Sequence, residues 1–309
     1  TAPLEKIFRM QLGIRNEELG INNAKLGIKK SNAQFRITHY ALRIKPTVLI
    51  PVFPGTNCEY DSARAFREAG GEPEIIVVRN LTPSAVEESV NALIEGVKRA
   101  QIVMLPGGFS GGDEPDGSGK FIAAMFRNPR LSEEVMRLLK DRDGLMLGIC
   151  NGFQALIKLG LLPYGEIRSL RADDPTLTHN SLGRHVSCMV RTRVASKNSP
   201  WLSNCKLGDI HTIAVSHGEG RFVANDEWLN KLAENGQIAP QYVYNRSEPT
   251  SELPFNPNGS IAAIEGITSP DGRIFGKMGH SERAGENLYR NIDGEKYQPI
   301  FDAGVQYFS

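Results

Sequence analysis

Between residues 47 and 160 the hydrophobic pattern switches period several times. Short continuous apolar runs at 47–52, 75–78, 102–105 and 145–149 have the length and composition of buried strands. Between them apolar residues recur at helical spacing. Val86, Val90, Leu93, Ile94 and Val97 make one stripe, Leu131, Val135, Leu138 and Leu139 a second, and Phe153, Leu156, Ile157 and Leu159 a third. A further helix is expected over about 60–69, stopped by Gly70-Gly71. Thr82-Pro83 reads as an N-cap followed by proline at the first helical position. Strand and helix in alternation predict an α/β fold, a doubly wound and mostly parallel sheet with helices on both faces, whose ligands bind beyond the carboxyl ends of the strands. After residue 165 the pattern is less regular. β-like runs are expected at 186–194, 213–215, 261–268 and 274–276, a helix at 227–234, and surface loops over 248–260.

Residues 1–45 lack any sustained period. They hold nine Lys or Arg against three Glu, a charge of +6, so the rest of the chain carries −5 of the net +1. We read 1–45 as a linker or docking segment and 46–309 as one domain. Over 309 residues the composition is that of a globular protein, with no apolar run long enough to span a bilayer and no signal-peptide core, and the expected location is cytoplasmic. Cys58, Cys150, Cys188 and Cys205 are scattered without a C-x-x-C pair, which argues against a disulfide framework and against a zinc site.

The third helical stripe follows the apolar run 145–149 across Gly148-Ile149-Cys150-Asn151-Gly152. This G-x-C-x-G places a cysteine on a sharp strand-to-helix turn, with glycines where a Cβ would clash. At a helix N-terminus the dipole favours a thiolate, the nucleophilic form. Upstream, Pro106-Gly107-Gly108-Phe109-Ser110 also follows a strand. It is not a Walker loop, because Glu114 stands at the first glycine position ahead of Gly119-Lys120 and Phe121 follows the lysine. Its backbone N–H groups, with that of Asn151, suit an oxyanion hole. A cysteine nucleophile needs a base and a group to orient that base. His280, with Glu282 two residues on, and His217, with Glu219 two residues on, both follow strands, and local spacing does not separate them.

The blocks at 51–59 (PVFPGTNCE), 106–110 (PGGFS), 148–154 (GICNGFQ), 215–221 (VSHGEGR), 256–260 (NPNGS) and 279–283 (GHSER) resemble the glutaminase domain of phosphoribosylformylglycinamidine synthases, a class I glutamine amidotransferase of flavodoxin-like fold. The resemblance implies Cys150, His280 and Glu282 as the catalytic triad and Gly108 with Asn151 as the oxyanion hole. It further implies Gly107, Phe109, Gln154, His217 and Gly218 as the surroundings of bound glutamine. It implies no metal or cofactor in this domain, with ATP and Mg on a partner synthetase that receives ammonia. A stand-alone Cys-His-Glu hydrolase or stress protein of the same superfamily, or a non-catalytic regulatory subunit, are the competing readings. Ser281 stands where the family more often has proline, and residues 112–116 differ from its common sequence.

Overall fold

The computed structural model describes residues 45–109, 118–244 and 248–309. The basic segment 1–44 and the acidic stretch 110–117 lie outside them. A six-stranded sheet forms the centre, in the order β10, β11, β4, β3, β1, β2. It comprises β1 (Thr47–Val52), β2 (Glu72–Val77), β3 (Ile102–Leu105), β4 (Leu145–Ile149), β10 (Gly266–Thr268) and β11 (Ile274–Lys277). All neighbours are parallel except β10, which runs antiparallel to β11. Every residue of β3 and β4 is buried, as continuous apolar runs at the middle of a covered sheet require. β2 begins three residues earlier than the apolar pattern predicts. It is an edge strand, so Glu72-Pro73-Glu74 can take part with polar side chains and a proline that donates no ladder bond.

The crossovers are α1 (Glu59–Glu68), α2 (Pro83–Arg99), α3 (Lys120–Phe126), α4 (Pro129–Lys140) and α5 (Asn151–Leu159). Thr82 caps α2 by accepting a hydrogen bond from the Ala85 N–H at 3.1 Å, and α2 packs against α4. These helices and the sheet share one hydrophobic core, into which Trp201 and Phe301 also reach through edge contacts with Phe66.

A second set of strands adjoins the β10 side of the sheet. β6 (Val186–Val194) pairs antiparallel with β7 (Ile210–His217) and with β9 (Pro240–Tyr242), while β5 (Thr176–Thr178) pairs with β8 (Arg221–Val223). Helix α6 (Asp226–Glu234) is capped by Asn225, and α7 (Ile300–Gln306) closes the chain. The expected strand over 261–268 is corrected. Residues 261–263 form a 3-10 turn with Ala262 and Ala263 at positive φ, and the strand starts only at Gly266. Apolar residues fill a buried turn as readily as a buried strand, so composition cannot tell them apart.

Register explains where the chemistry gathers. Leu105 aligns with Gly148 and Ile149 with Lys277, so β3, β4 and β11 end at the same edge of the sheet. The glycine loop, Cys150 and the loop carrying His280 therefore leave the sheet side by side.

Candidate active site

Cys150 occupies the turn between β4 and α5 at φ 53° and ψ −107°. A non-glycine residue held there costs about 1–3 kcal/mol, which surrounding structure must offset. Its N–H donates to the Lys277 carbonyl at 2.8 Å, and its carbonyl accepts from Gln154 N–H at 3.1 Å. The flanking glycines serve close approach. A Cβ on Gly152 would lie 1.9 Å from the Leu105 carbonyl oxygen, and one on Gly148 would lie 2.6 Å from Leu156 Cδ1. The helix is thus pressed onto the end of β3, and the strained backbone falls on the cysteine alone. Its Sγ faces the Ser216 carbonyl at 3.7 Å.

His280 and Glu282 come together across 2.6 Å between Nδ1 and Oε1, with both side chains buried. They do so in a different way from that expected of an extended chain. Residues Ser281–Arg283 form a 3-10 turn, and it is this turn that folds the Glu282 carboxylate back under the imidazole. Burial alone would lower the His280 pKa. The Glu282 charge, aided by hydrogen bonds to Cys150 and Cys58, outweighs it and raises the value well above that of an ordinary histidine. Burial works to raise Glu282 and is likewise outweighed, by the His280 charge, so that its carboxyl titrates low. With Nδ1 engaged by Glu282, Nε2 is the nitrogen left for the Cys150 side.

The loop bearing this pair is tied down on every side. His280 N–H donates to the Ala214 carbonyl at 2.8 Å, and the Arg64 guanidinium reaches the Glu282 carbonyl at 3.0 Å. Beneath it, Lys277 is wholly buried and donates to the Gly279 carbonyl at 2.8 Å and to Ser281 Oγ at 2.9 Å, with the buried Glu265 carboxylate 3.4 Å away. Ser281 Oγ–H in turn donates a hydrogen bond to Gln298 Oε1 at 2.6 Å. The serine where the family more often has proline is therefore an anchored part of the turn.

Gly107 packs directly on the pair. A Cβ there would sit 2.8 Å from His280 Cε1 and 3.4 Å from Cys150 Cβ. The Gly107 carbonyl accepts from Asn57 N–H at 3.2 Å, and Phe109 N–H donates to the Gly55 carbonyl at 2.8 Å. Because the trans peptide points its C=O and N–H in opposite directions, tying down the Gly107 carbonyl turns the Gly108 N–H away from Asn57. Gly108 itself has φ 140°, a glycine conformation, and a Cβ would strike the Gly55 carbonyl at 2.5 Å. Phe109 is half-exposed, its ring 6.2 Å from that of His185.

His217 is buried at the end of β7. Both amide hydrogens of Asn180 go to carbonyls, those of Arg184 and His217, so its Oδ1 is an acceptor and His217 Nδ1, at 3.2 Å, carries the proton. His217 Nε2 is then a bare acceptor, buried and without a partner among the described residues. Burial, followed by the charge on His280, pushes its pKa down to about 3. Glu219 does not reach this ring. It accepts from the Ser118 N–H at 2.8 Å and lies 3.6 Å from His179. Gln154 takes Asn151 Nδ2–H on its oxygen at 3.1 Å and gives its own N–H to the Glu219 carbonyl, joining α5 to the His217 loop. Gly218 stands in that same loop, its carbonyl accepting from Asn180 N–H.

Residues 45–308 match the family described as CobB/CobQ-like glutamine amidotransferase domain. The phosphoribosylformylglycinamidine synthase subunit PurQ of Treponema denticola is 35% identical over 283 residues, 85% of this chain and 99% of that protein. The chain belongs to the PurQ-type glutamine amidotransferase family. Another family member, PurQ of Aquifex aeolicus, is 34% identical over 79% of this chain and 93% of its own length. The solved structure of PurLQS from Thermotoga maritima is 27% identical, with a TM-score of 0.61 and coverage of 86% of this chain and 100% of that one.

Beside the residues that family motifs single out, the structure gathers others that spacing in the sequence does not reveal. Cys58 Sγ lies 3.8 Å from His280 Nδ1 and 3.1 Å from the Arg283 guanidinium, although 222 residues separate it from the histidine. Lys277 and Glu265 are charged residues within apolar stretches of the sequence, and Asn180 is a buried polar residue. Such residues need partners when buried, and that requirement is the one signal of their importance in the sequence. No helix of the described residues is long and apolar enough to cross a membrane.

Proposed function

We propose that the chain hydrolyses glutamine to glutamate and ammonia through a γ-glutamyl thioester on Cys150, and that the ammonia serves an ATP- and Mg-dependent synthetase making formylglycinamidine ribonucleotide. The observation that carries this reading is the buried His280–Glu282 pair beside a cysteine held at φ 53°. The Cys150 thiol gives its proton to His280 Nε2 as its sulfur attacks the carboxamide carbon, and the Gly108 and Asn151 N–H groups hold the oxygen as it becomes an oxyanion. His280 gives its Nε2 proton to the nitrogen, the C–N bond breaks and ammonia leaves. Water then attacks the thioester, His280 takes its proton, the C–S bond breaks and glutamate is released. Glu282 holds the imidazole in the productive tautomer throughout. His217 Nε2, a lone acceptor in the same cleft, suits the substrate's α-ammonium, and Gly107, Phe109, Gln154 and Gly218 shape the surrounding wall.

The relatives named PurQ and the PurLQS structure support a synthetase partner. The test separates the two half-reactions in the assembled enzyme. Cys150→Ala is expected to abolish synthesis from glutamine and to retain synthesis from concentrated ammonium, because external ammonia needs no nucleophile. Retained glutamine-dependent synthesis would refute the role of Cys150.

A further inference from the structure

We propose that Cys58, His280 and Glu282 form a binding site for Zn2+ that arrests the enzyme when filled. One donor atom from each residue lies within 4.8 Å of the others, and all three residues are buried. Cys58 Sγ is 3.8 Å from His280 Nδ1, which is 2.6 Å from Glu282 Oε1. Glu282 Oε2 is buried without a hydrogen-bond partner among the described residues, a desolvated lone pair that the fold leaves uncompensated. A thiolate, an imidazole and a carboxylate are zinc donors, and calcium or magnesium would require an oxygen cage instead. Tetrahedral bonds of about 2.3 Å to sulfur and 2.0 Å to nitrogen and oxygen place S and N about 3.5 Å apart and N and O about 3.3 Å apart. The S–N and N–O separations reach those values through changes of under about 1 Å, and the S–O separation, at most 4.8 Å, closes by up to about 1.3 Å, with water as fourth ligand. The absence of a C-x-x-C pair does not weigh against this site, because its ligands meet through the fold and not through spacing.

Two further contacts bear on access. Cys58 Sγ also faces Asn57 Oδ1 at 3.1 Å, and the Arg283 guanidinium covers it at 3.1 Å. Arg283 is about one-third exposed (32%), so its side chain can swing outward and open a path. Binding sends the Cys58 thiol proton and the His280 Nδ1 proton to solvent and oxidises nothing. The metal then occupies the nitrogen through which Glu282 orients the ring, on the side away from Cys150. Glutamine would still bind, and turnover would stop. Arrest rests on the proposed role of His280, whereas binding rests on the geometry alone.

The experiment measures Zn2+ binding to the full chain by calorimetry and Co2+ binding by its thiolate charge-transfer absorption. Wild type and Cys150→Ala are expected to bind one ion with the thiolate band. Cys58→Ser is expected to lose more affinity than the roughly 10- to 100-fold that removal of a residue merely supporting a ligand costs. Zn2+ should raise the unfolding midpoint of wild type and not that of Cys58→Ser or Cys58→Ala, each compared with its own metal-free protein. In glutamine hydrolysis, Zn2+ should lower kcat with KM little changed, and Cys58→Ser, normalised to its own metal-free rate, should resist it. Absence of binding, or binding lost in Cys150→Ala and kept in Cys58→Ser, would overturn the site. A metal-free wild type unable to hydrolyse glutamine when assembled with its synthetase would instead refute the functional reading and leave the binding result intact.

Discussion

Two loops of this protein are nearly interchangeable on paper. One ends β7 at His217 and continues Gly218-Glu219-Gly220, and the other follows β11 with His280-Ser281-Glu282-Arg283. Both histidines are buried, and both have a glutamate two residues later. The difference lies in what the backbone does next. After His280 a 3-10 turn returns the carboxylate to the ring, whereas Glu219 is drawn off to the Ser118 N–H and His217 is left with an amide from Asn180. One histidine is consequently held charged and the other neutral. An i,i+2 spacing does not make a dyad; the turn that follows, and the competing donors nearby, decide it.

Exchanging the two glutamates breaks this comparison most severely. Glu282→Gln keeps the shape and removes the charge that holds the His280 tautomer and imidazolium, so kcat for glutamine should fall roughly 10²- to 10⁴-fold with KM little changed. Glu219→Gln keeps an acceptor for the Ser118 N–H and should cost less than about tenfold. Steady-state kinetics of both variants decides it, and a larger loss in Glu219→Gln would transfer the role of base to the other loop.

A smaller effect, of opposite sign in the two loops, appears in stability against pH. His217 titrates at about 3 in the fold and near 6.5 when unfolded, so the unfolded state binds the extra proton. The stability held by its neutral ring is complete above about pH 6.5 and is lost as pH falls toward 3, by up to about 1.4 kcal/mol per pH unit. His280 has a raised value, so its contribution is complete below about pH 6.5 and is lost as pH rises through the folded pKa. Denaturant unfolding over a pH series should show wild type losing stability relative to His217→Asn on acidification, and relative to His280→Asn on alkalinisation. Parallel curves for wild type and His217→Asn would contradict the neutral assignment.

Much of the scaffold was legible in the sequence. Residues 102–105, 145–149 and 186–194 are strands with the predicted bounds, because each is either a fully buried run or a long β-rich stretch between clear turn signals. Helices α3 and α7, seven residues each, offer too little periodicity to stand out, and the three-residue strands β5, β8 and β9 are shorter than any pattern can resolve. The elbow at Cys150 was visible because its glycines are forced by contacts with Leu105 and Leu156. Cys58 over His280 and the buried Lys277–Glu265 pair were not visible. Those contacts span the register of β1, β4, β11 and β10, which arises only when the sheet assembles.

The most direct test of the account is to acid-quench the assembled enzyme during turnover of glutamine and map any covalent adduct by mass spectrometry of its peptides. One γ-glutamyl group on Cys150, absent from Cys150→Ala, is the predicted result. Glutamine turnover accompanied by an adduct on Cys58 or another residue, or by turnover in Cys150→Ala, would contradict it.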